Sequence, residues 1–160
     1  MTSRPRLIVA AILGGSAGSL IMDLTQYLWA QALERNRPSG DQDEETEAIS
    51  SVVRALTLLA PRVFRADDAA AIGRAIHYVF GVGFAAAYFA LLPNRRPALV
   101  RGAVFGTCLW MVSDRILIPV FKLGRPWSRY SVTERSNALV SHLAYALIVE
   151  FARPGATPDR

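Results

Sequence analysis

The chain has 160 residues, about one domain's worth, and 52% of them are apolar, a high share for a soluble protein of that size. Its 18 basic residues exceed its 13 acidic ones, but the arginines punctuate apolar runs and form no basic face. That pattern excludes nucleic acid as a partner and suits anionic lipid headgroups. The single cysteine, Cys108, rules out an internal disulfide, a CxxC zinc pattern and a CxxCH haem attachment; inside its apolar run it reads as inert packing.

The first apolar run, about residues 7–33, is too long for the h-region of a signal peptide, contains Asp23 and lacks a small-x-small exit, so it reads as an uncleaved span. Gly14 and Gly18 have the small-xxx-small spacing that lets a second helix approach closely. Ser16, Ser19, Asp23 and Gln26 follow at helical spacing and make one polar stripe, which in lipid must face protein or water. Next comes a charged loop, residues 34–47, and then residues 48–60, where Ile49, Val52, Val53, Leu56 and Leu59 fall on one face of an amphipathic helix. With Arg54, Arg62 and Arg65 beside it, that helix is expected to lie in the membrane interface.

The second span is about 72–93, with Asp67 and Asp68 as its N-terminal cap and first-turn charge. Gly73, His77 and Gly81 recur every fourth residue, so the glycines permit close packing on the face that carries the histidine. The third span, about 98–121, carries Gly102 and Gly106 as a GxxxG pair, with Trp110 and Asp114 on the face of Gly106 and Arg115 beside the aspartate. Pro119 near its end costs few helix hydrogen bonds. The connection that follows, KLGRPWSRYS, is a basic, aromatic interfacial loop. The fourth span, about 132–152, opens on Ser131-Val-Thr-Glu134, a capping box, and aligns Ala138, His142, Tyr145 and Val149. Glu150 is expected at the interface, paired with Arg153.

Four spans place both termini on one side. Arg4, Arg6, Arg95, Arg96, Arg101, Arg153 and Arg160 lie there against ten bases on the other side, several of them in the long acidic connection, so the count leaves cytoplasmic termini as the expectation. The expected architecture is an all-α, integral membrane four-helix bundle with one extra interfacial amphipathic helix between spans one and two.

Depth along the helices then gathers the ionisable groups. His77, His142, Asp114 and Asp23 fall roughly 6, 9, 10 and 15 Å below the loop-side ends of their spans. Two imidazoles and two carboxylates in one half of a membrane suit a proton or ion path extended by Ser16, Ser19, Tyr78 and Tyr145. They also suit haem or a divalent metal held by His77 and His142, although no HExxH or ExxH spacing is present, and no cofactor at all is the simplest outcome. The plainer reading is that Asp23 or Asp114 pairs with Arg115 or a histidine to hold the helices together. No Ser-His-Asp order, phosphate loop or dinucleotide fingerprint points to an enzyme.

Three stretches, HYVFGVGFAAAY, GAVFGTCLWMVSDRILIP and ERSNALVSHLAYAL, resemble the YagU-like family of small bacterial inner-membrane proteins through His77, Tyr78, Gly102, Gly106, Trp110, Asp114, Pro119, Glu134, His142, Leu143 and Tyr145. The similarity covers residues 73–147, with Ala146 where the family pattern has glycine. It implies a multi-pass protein of the bacterial inner membrane without an established activity. The functions consistent with all this are a small transport, channel-like or accessory subunit, a haem- or metal-binding redox subunit, or a structural partner in a homo-oligomer or larger membrane complex.

Overall fold

The computed structural model describes residues 4–34, 69–92, 97–121 and 127–155. The charged loop, the amphipathic segment 48–60, the caps Asp67 and Asp68 and the turn after the second span lie outside them. Among the described residues there are four long helices and no strand. They are α1 (Arg4–Glu34), α2 (Ala69–Leu91), α3 (Ala98–Val112) and α4 (Val132–Phe151), with a short 3₁₀ turn at Trp127–Arg129 before α4.

Among the described residues three stretches are long and apolar enough to cross a membrane: Arg4–Leu33, Gly73–Leu91 and Ala98–Val120. α4 does not reach that hydropathy, and its position in the fold explains why it need not. It packs against α1 on one side and α3 on the other, while α2 packs on α1. From Glu134 to Glu150 only Val140 is exposed, so the polar residues of α4 face protein. The outer helices show the reverse pattern: Ile12, Leu13, Leu20, Leu24, Val79, Phe80, Leu99, Val104, Met111 and Ile116 are all exposed.

Glycines set the distances between these helices. A Cβ on Gly14 would meet Ala152 at 2.6 Å, and one on Gly18 would meet the Tyr145 ring at 2.7 Å, both across the α1–α4 seam. Across α3–α4, a Cβ on Gly102 would meet Leu147 at 3.0 Å, and one on Gly106 the His142 carbonyl at 2.9 Å. Gly81 faces Ser19 across α1–α2, where Gly15 lies against the Val82 backbone. These are close approaches that only a residue without a side chain permits. Gly73 lies half-buried at the start of the α2 apolar stretch.

Two local features complete the frame. The Ser131–Glu134 capping box is fully formed, with the Glu134 N–H donating to Ser131 Oγ at 3.2 Å and the Ser131 N–H donating to Glu134 Oε2 at 2.6 Å. α3 is not a regular helix to its end: it widens into a π-helical turn at Ser113–Leu117 before a last α turn, Ile118–Phe121. Pro119 supplies the cause, since it has no N–H to donate and its ring crowds the carbonyl of Arg115, one turn back. Expected to be absorbed quietly, the proline instead distorts the turn that holds Asp114. Cys108, expected as packing, is exposed.

The glycine contacts predict a graded response in thermal unfolding of the purified protein. Gly15→Ala and Gly106→Ala, whose new methyl groups would meet backbone, should each cost about 1–3 kcal/mol. Gly83→Ala, which would meet nothing within 4 Å, should be neutral or slightly stabilising.

Candidate functional site

The ionisable residues expected in one layer separate into distinct environments. On the α1–α2 seam, His77 Nε2 lies 3.3 Å from Asp23 Oδ1, and the Tyr78 hydroxyl donates to Asp23 Oδ2 at 3.3 Å. The contact is loose, because His77 Nε2 does not meet hydrogen-bond geometry with any described acceptor. The His77 and Asp23 side chains are 33% and 40% exposed, but His77 Nε2 itself is shielded from solvent.

Depth placed His142 and Asp114 beside this pair; His142 is near enough to His77 for the two imidazoles to interact electrostatically without a hydrogen bond, whereas Asp114 lies eight residues beyond Gly106, the residue that packs on His142. His142 is buried on α4 and its Nδ1 lies 2.8 Å from the Ala138 carbonyl of its own helix. Asp114 sits half-buried in the π-helical turn, one turn beyond Trp110. Arg115 is not its partner; its guanidinium lies over the Trp127 ring, 4.4 Å from the centroid. Among the described residues no hydrogen bond or ion pair connects His77, His142 and Asp114 to one another. Nor do any three His, Cys, Asp or Glu side chains among them come close enough to hold a metal ion together.

The polar stripe of α1 does continue inward from Asp23. Ser19, one turn away, is wholly buried against Gly81, and its hydroxyl has no hydrogen bond among the described residues. The carbonyl of Gly81 in turn accepts a 2.5 Å hydrogen bond from the Tyr145 hydroxyl of α4. Asp23, Ser19, Gly81 and Tyr145 therefore form a polar seam leading from the Asp23–His77 pair to the core. There Phe105 of α3 is in ring contact with Tyr145, centroids 6.2 Å apart, and stacks on Tyr88 of α2 at 4.1 Å.

Beyond Phe105 lies a second polar cluster. Glu150 is 2% exposed and receives the Tyr88 hydroxyl on Oε2 and the Arg101 guanidinium on Oε1. Arg153 Nε approaches Oε2 at 3.4 Å, while its Nη1 and Nη2 donate to the carbonyls of Leu92 and Tyr88 at 2.8 and 3.1 Å. Arg153 thus caps the C-terminus of α2, where unsatisfied carbonyls gather partial negative charge, and also covers the Tyr88 ring at 4.4 Å. The carboxylate of α4 ties down α2 through Tyr88 and α3 through Arg101. Glu150, expected at the interface, lies one residue before the end of α4 but is enclosed by protein, and Arg101 and Arg153, both buried with it, are removed from the bases available to headgroups. Only the Glu150–Arg153 pairing, three residues apart on one helix, was accessible from spacing.

In comparisons with family models, curated proteins and solved structures, none matches this chain.

The two clusters should respond differently to neutralisation. Glu150→Gln leaves two buried guanidiniums without their carboxylate and should cost about 3–5 kcal/mol in thermal unfolding. Asp23→Asn removes a half-exposed, loosely paired charge and should cost less than about 1 kcal/mol.

Proposed function

We propose that the chain is a multi-pass protein of the bacterial inner membrane, a four-helix bundle whose fourth span, α4, is shielded by the other three helices. In this reading it works as a small channel-like or transport subunit for protons or ions. The exposed apolar residues of α1, α2 and α3 support the membrane setting, because so extensive an apolar surface needs a lipid environment or a partner to cover it. The resemblance to the YagU-like family, carried by residues 73–147, agrees with that setting and adds no activity.

The observation that carries the transport reading is the contrast between the two polar clusters. An ionisable group within an apolar span is costly unless it is paired or serves a function. The Glu150 cluster is enclosed and joins three helices, which suits a structural role. Asp23 and His77 are only partly buried as side chains and are held at 3.3 Å without a hydrogen bond between them, with His77 Nε2 shielded and unpartnered among the described residues, an arrangement looser than a structural ion pair. Ser19 and Tyr145 extend the polar seam behind them, and Phe105 interrupts it before Tyr88 and Glu150 are reached. Proton uptake at Asp23 and His77 and an aromatic barrier at Phe105 mark the two ends of this path; a relay between them requires the Ser19 hydroxyl, unbonded among the described residues, and the Tyr145 hydroxyl, bonded to the Gly81 carbonyl, to turn toward water in the seam. No geometric observation favours the haem or metal alternative over it.

Purified protein in liposomes with an internal pH-sensitive dye tests this. Wild type should carry a proton flux above empty vesicles, Asp23→Asn and His77→Gln should each reduce it about tenfold or more, and Phe105→Ala should raise it. All variants should keep their helical circular dichroism. Equal flux from wild type, both polar variants and empty vesicles would remove the transport reading and leave a structural role in a larger complex.

A further inference from the structure

The connection between α3 and α4 carries a third cluster that the proton path does not use. Two cations approach Trp127 of the 3₁₀ turn: the Arg115 guanidinium carbon is 4.4 Å from its ring centroid and that of Arg135 is 4.9 Å from the same centroid. Arg135 Nη2 also donates to the Trp127 carbonyl at 3.1 Å, which fixes that side chain in place, while its Nε is shielded and lacks a partner among the described residues. Trp110 packs edge-on against Trp127 at 5.7 Å, and Tyr130 lies 6.2 Å from it on the other side. The described carboxylates pair with neither arginine; the nearest in sequence, Glu134, bonds the Ser131 backbone in the capping box, and Asp114 sits in the π-helical turn. The indole attracts both guanidiniums, and among the described residues the Arg115 side chain makes no hydrogen bond and that of Arg135 only the one to the Trp127 carbonyl.

Arg115 is exposed and lies inside the apolar stretch Ala98–Val120 of α3, five residues before its end. A cation exposed on such a surface reaches toward the headgroup layer, and the anion abundant there is the lipid phosphodiester. Guanidinium matches that group with parallel hydrogen bonds, and indole and phenol rings settle at the same level of a bilayer.

We infer that Arg115, Arg135 and Trp127 form a binding site for the phosphate headgroup of an anionic phospholipid at the α3–α4 end of the molecule. The site rests on the membrane reading above and is independent of the proton path. Arg115 and Arg135 clamp the phosphate, Trp127 sets the spacing of the two guanidiniums, and Trp110 and Tyr130 flank the indole.

Native mass spectrometry of the full chain in detergent, titrated separately with phosphatidylglycerol, phosphatidylcholine and inorganic phosphate, tests the inference. Wild type should retain phosphatidylglycerol in preference to phosphatidylcholine, with no competition from millimolar inorganic phosphate. R115Q/R135Q should lose about tenfold or more of that retention, and R115K/R135K, with its charges but no planar fork, should fall between them. Circular dichroism and size exclusion confirm that each variant is folded, and R129Q, at an arginine outside the clamp, serves as the charge-matched control. Equal retention by R115Q/R135Q, an equal loss in R129Q, or displacement by inorganic phosphate would overturn the lipid site. Membrane fractionation after alkaline carbonate extraction separates the two claims: a chain released by carbonate would contradict the membrane reading, whereas one retained in the membrane without lipid selectivity would contradict this inference alone.

Discussion

The arrangement depends on one buried carboxylate. Glu150, on the helix most enclosed by the others, would be intolerable there as a lone charge, and Tyr88, Arg101 and Arg153 compensate it from α2, α3 and its own helix end. Because Arg153 also satisfies the last carbonyls of α2, the same cluster ends that helix and fixes its position against α4. Hydropathy follows from this placement. α4 can be the least apolar of the four helices because its neighbours take the outward positions, and those neighbours are apolar on their exposed faces for the same reason.

The tightness of that cluster gives the looser one its interest. If ion pairs served only to hold the helices, Asp23 and His77 would be expected to be enclosed and well bonded as Glu150 is. Instead they sit at the open edge of the α1–α2 seam, with a 3.3 Å contact and substantial exposure. Between the two clusters stand Tyr145, Phe105 and Tyr88, an aromatic layer whose hydroxyl ends turn to opposite partners: Tyr145 to the Gly81 carbonyl and Tyr88 to Glu150. The fold thus sets the loose Asp23–His77 pair apart from the enclosed Glu150 cluster: His77 and Tyr88, their members on α2, are eleven residues apart, about 16 Å along the helix axis.

Much of this frame was legible in the sequence. Small-xxx-small spacing identified Gly14, Gly18, Gly102 and Gly106, which lie at helix contacts, because close packing leaves few residue types possible at those positions. The capping box at Ser131 is a local motif and needs no tertiary information. The candidate site was harder, because depth counted along each helix fixes neither direction around it nor the offset between helices. His77, His142 and Asp114 were expected at one depth; His77 approaches Asp23 and lies within electrostatic range of His142, but Asp114 lies about two turns beyond Gly106, the residue that packs on His142. The Glu150 cluster escaped for the opposite reason: Tyr88 and Arg101 are 62 and 49 residues from Glu150 in sequence, and a charge near the end of a span reads as interfacial until the helices around it are placed. Pro119 was read as tolerable near the helix end, because counting lost hydrogen bonds does not show that its ring would open the preceding turn into the π-helical Ser113–Leu117.

The central claim, that the Glu150 cluster holds the helices together while the Asp23–His77 pair does not, is tested most directly by two double-mutant cycles read as unfolding free energies. For Glu150→Gln and Arg101→Gln the account predicts strong coupling, about 1.5 kcal/mol or more, with the double variant little worse than Glu150→Gln alone. For Asp23→Asn and His77→Gln it predicts coupling below about 0.5 kcal/mol. Additive effects at Glu150 and Arg101, or strong coupling at Asp23 and His77, would contradict it.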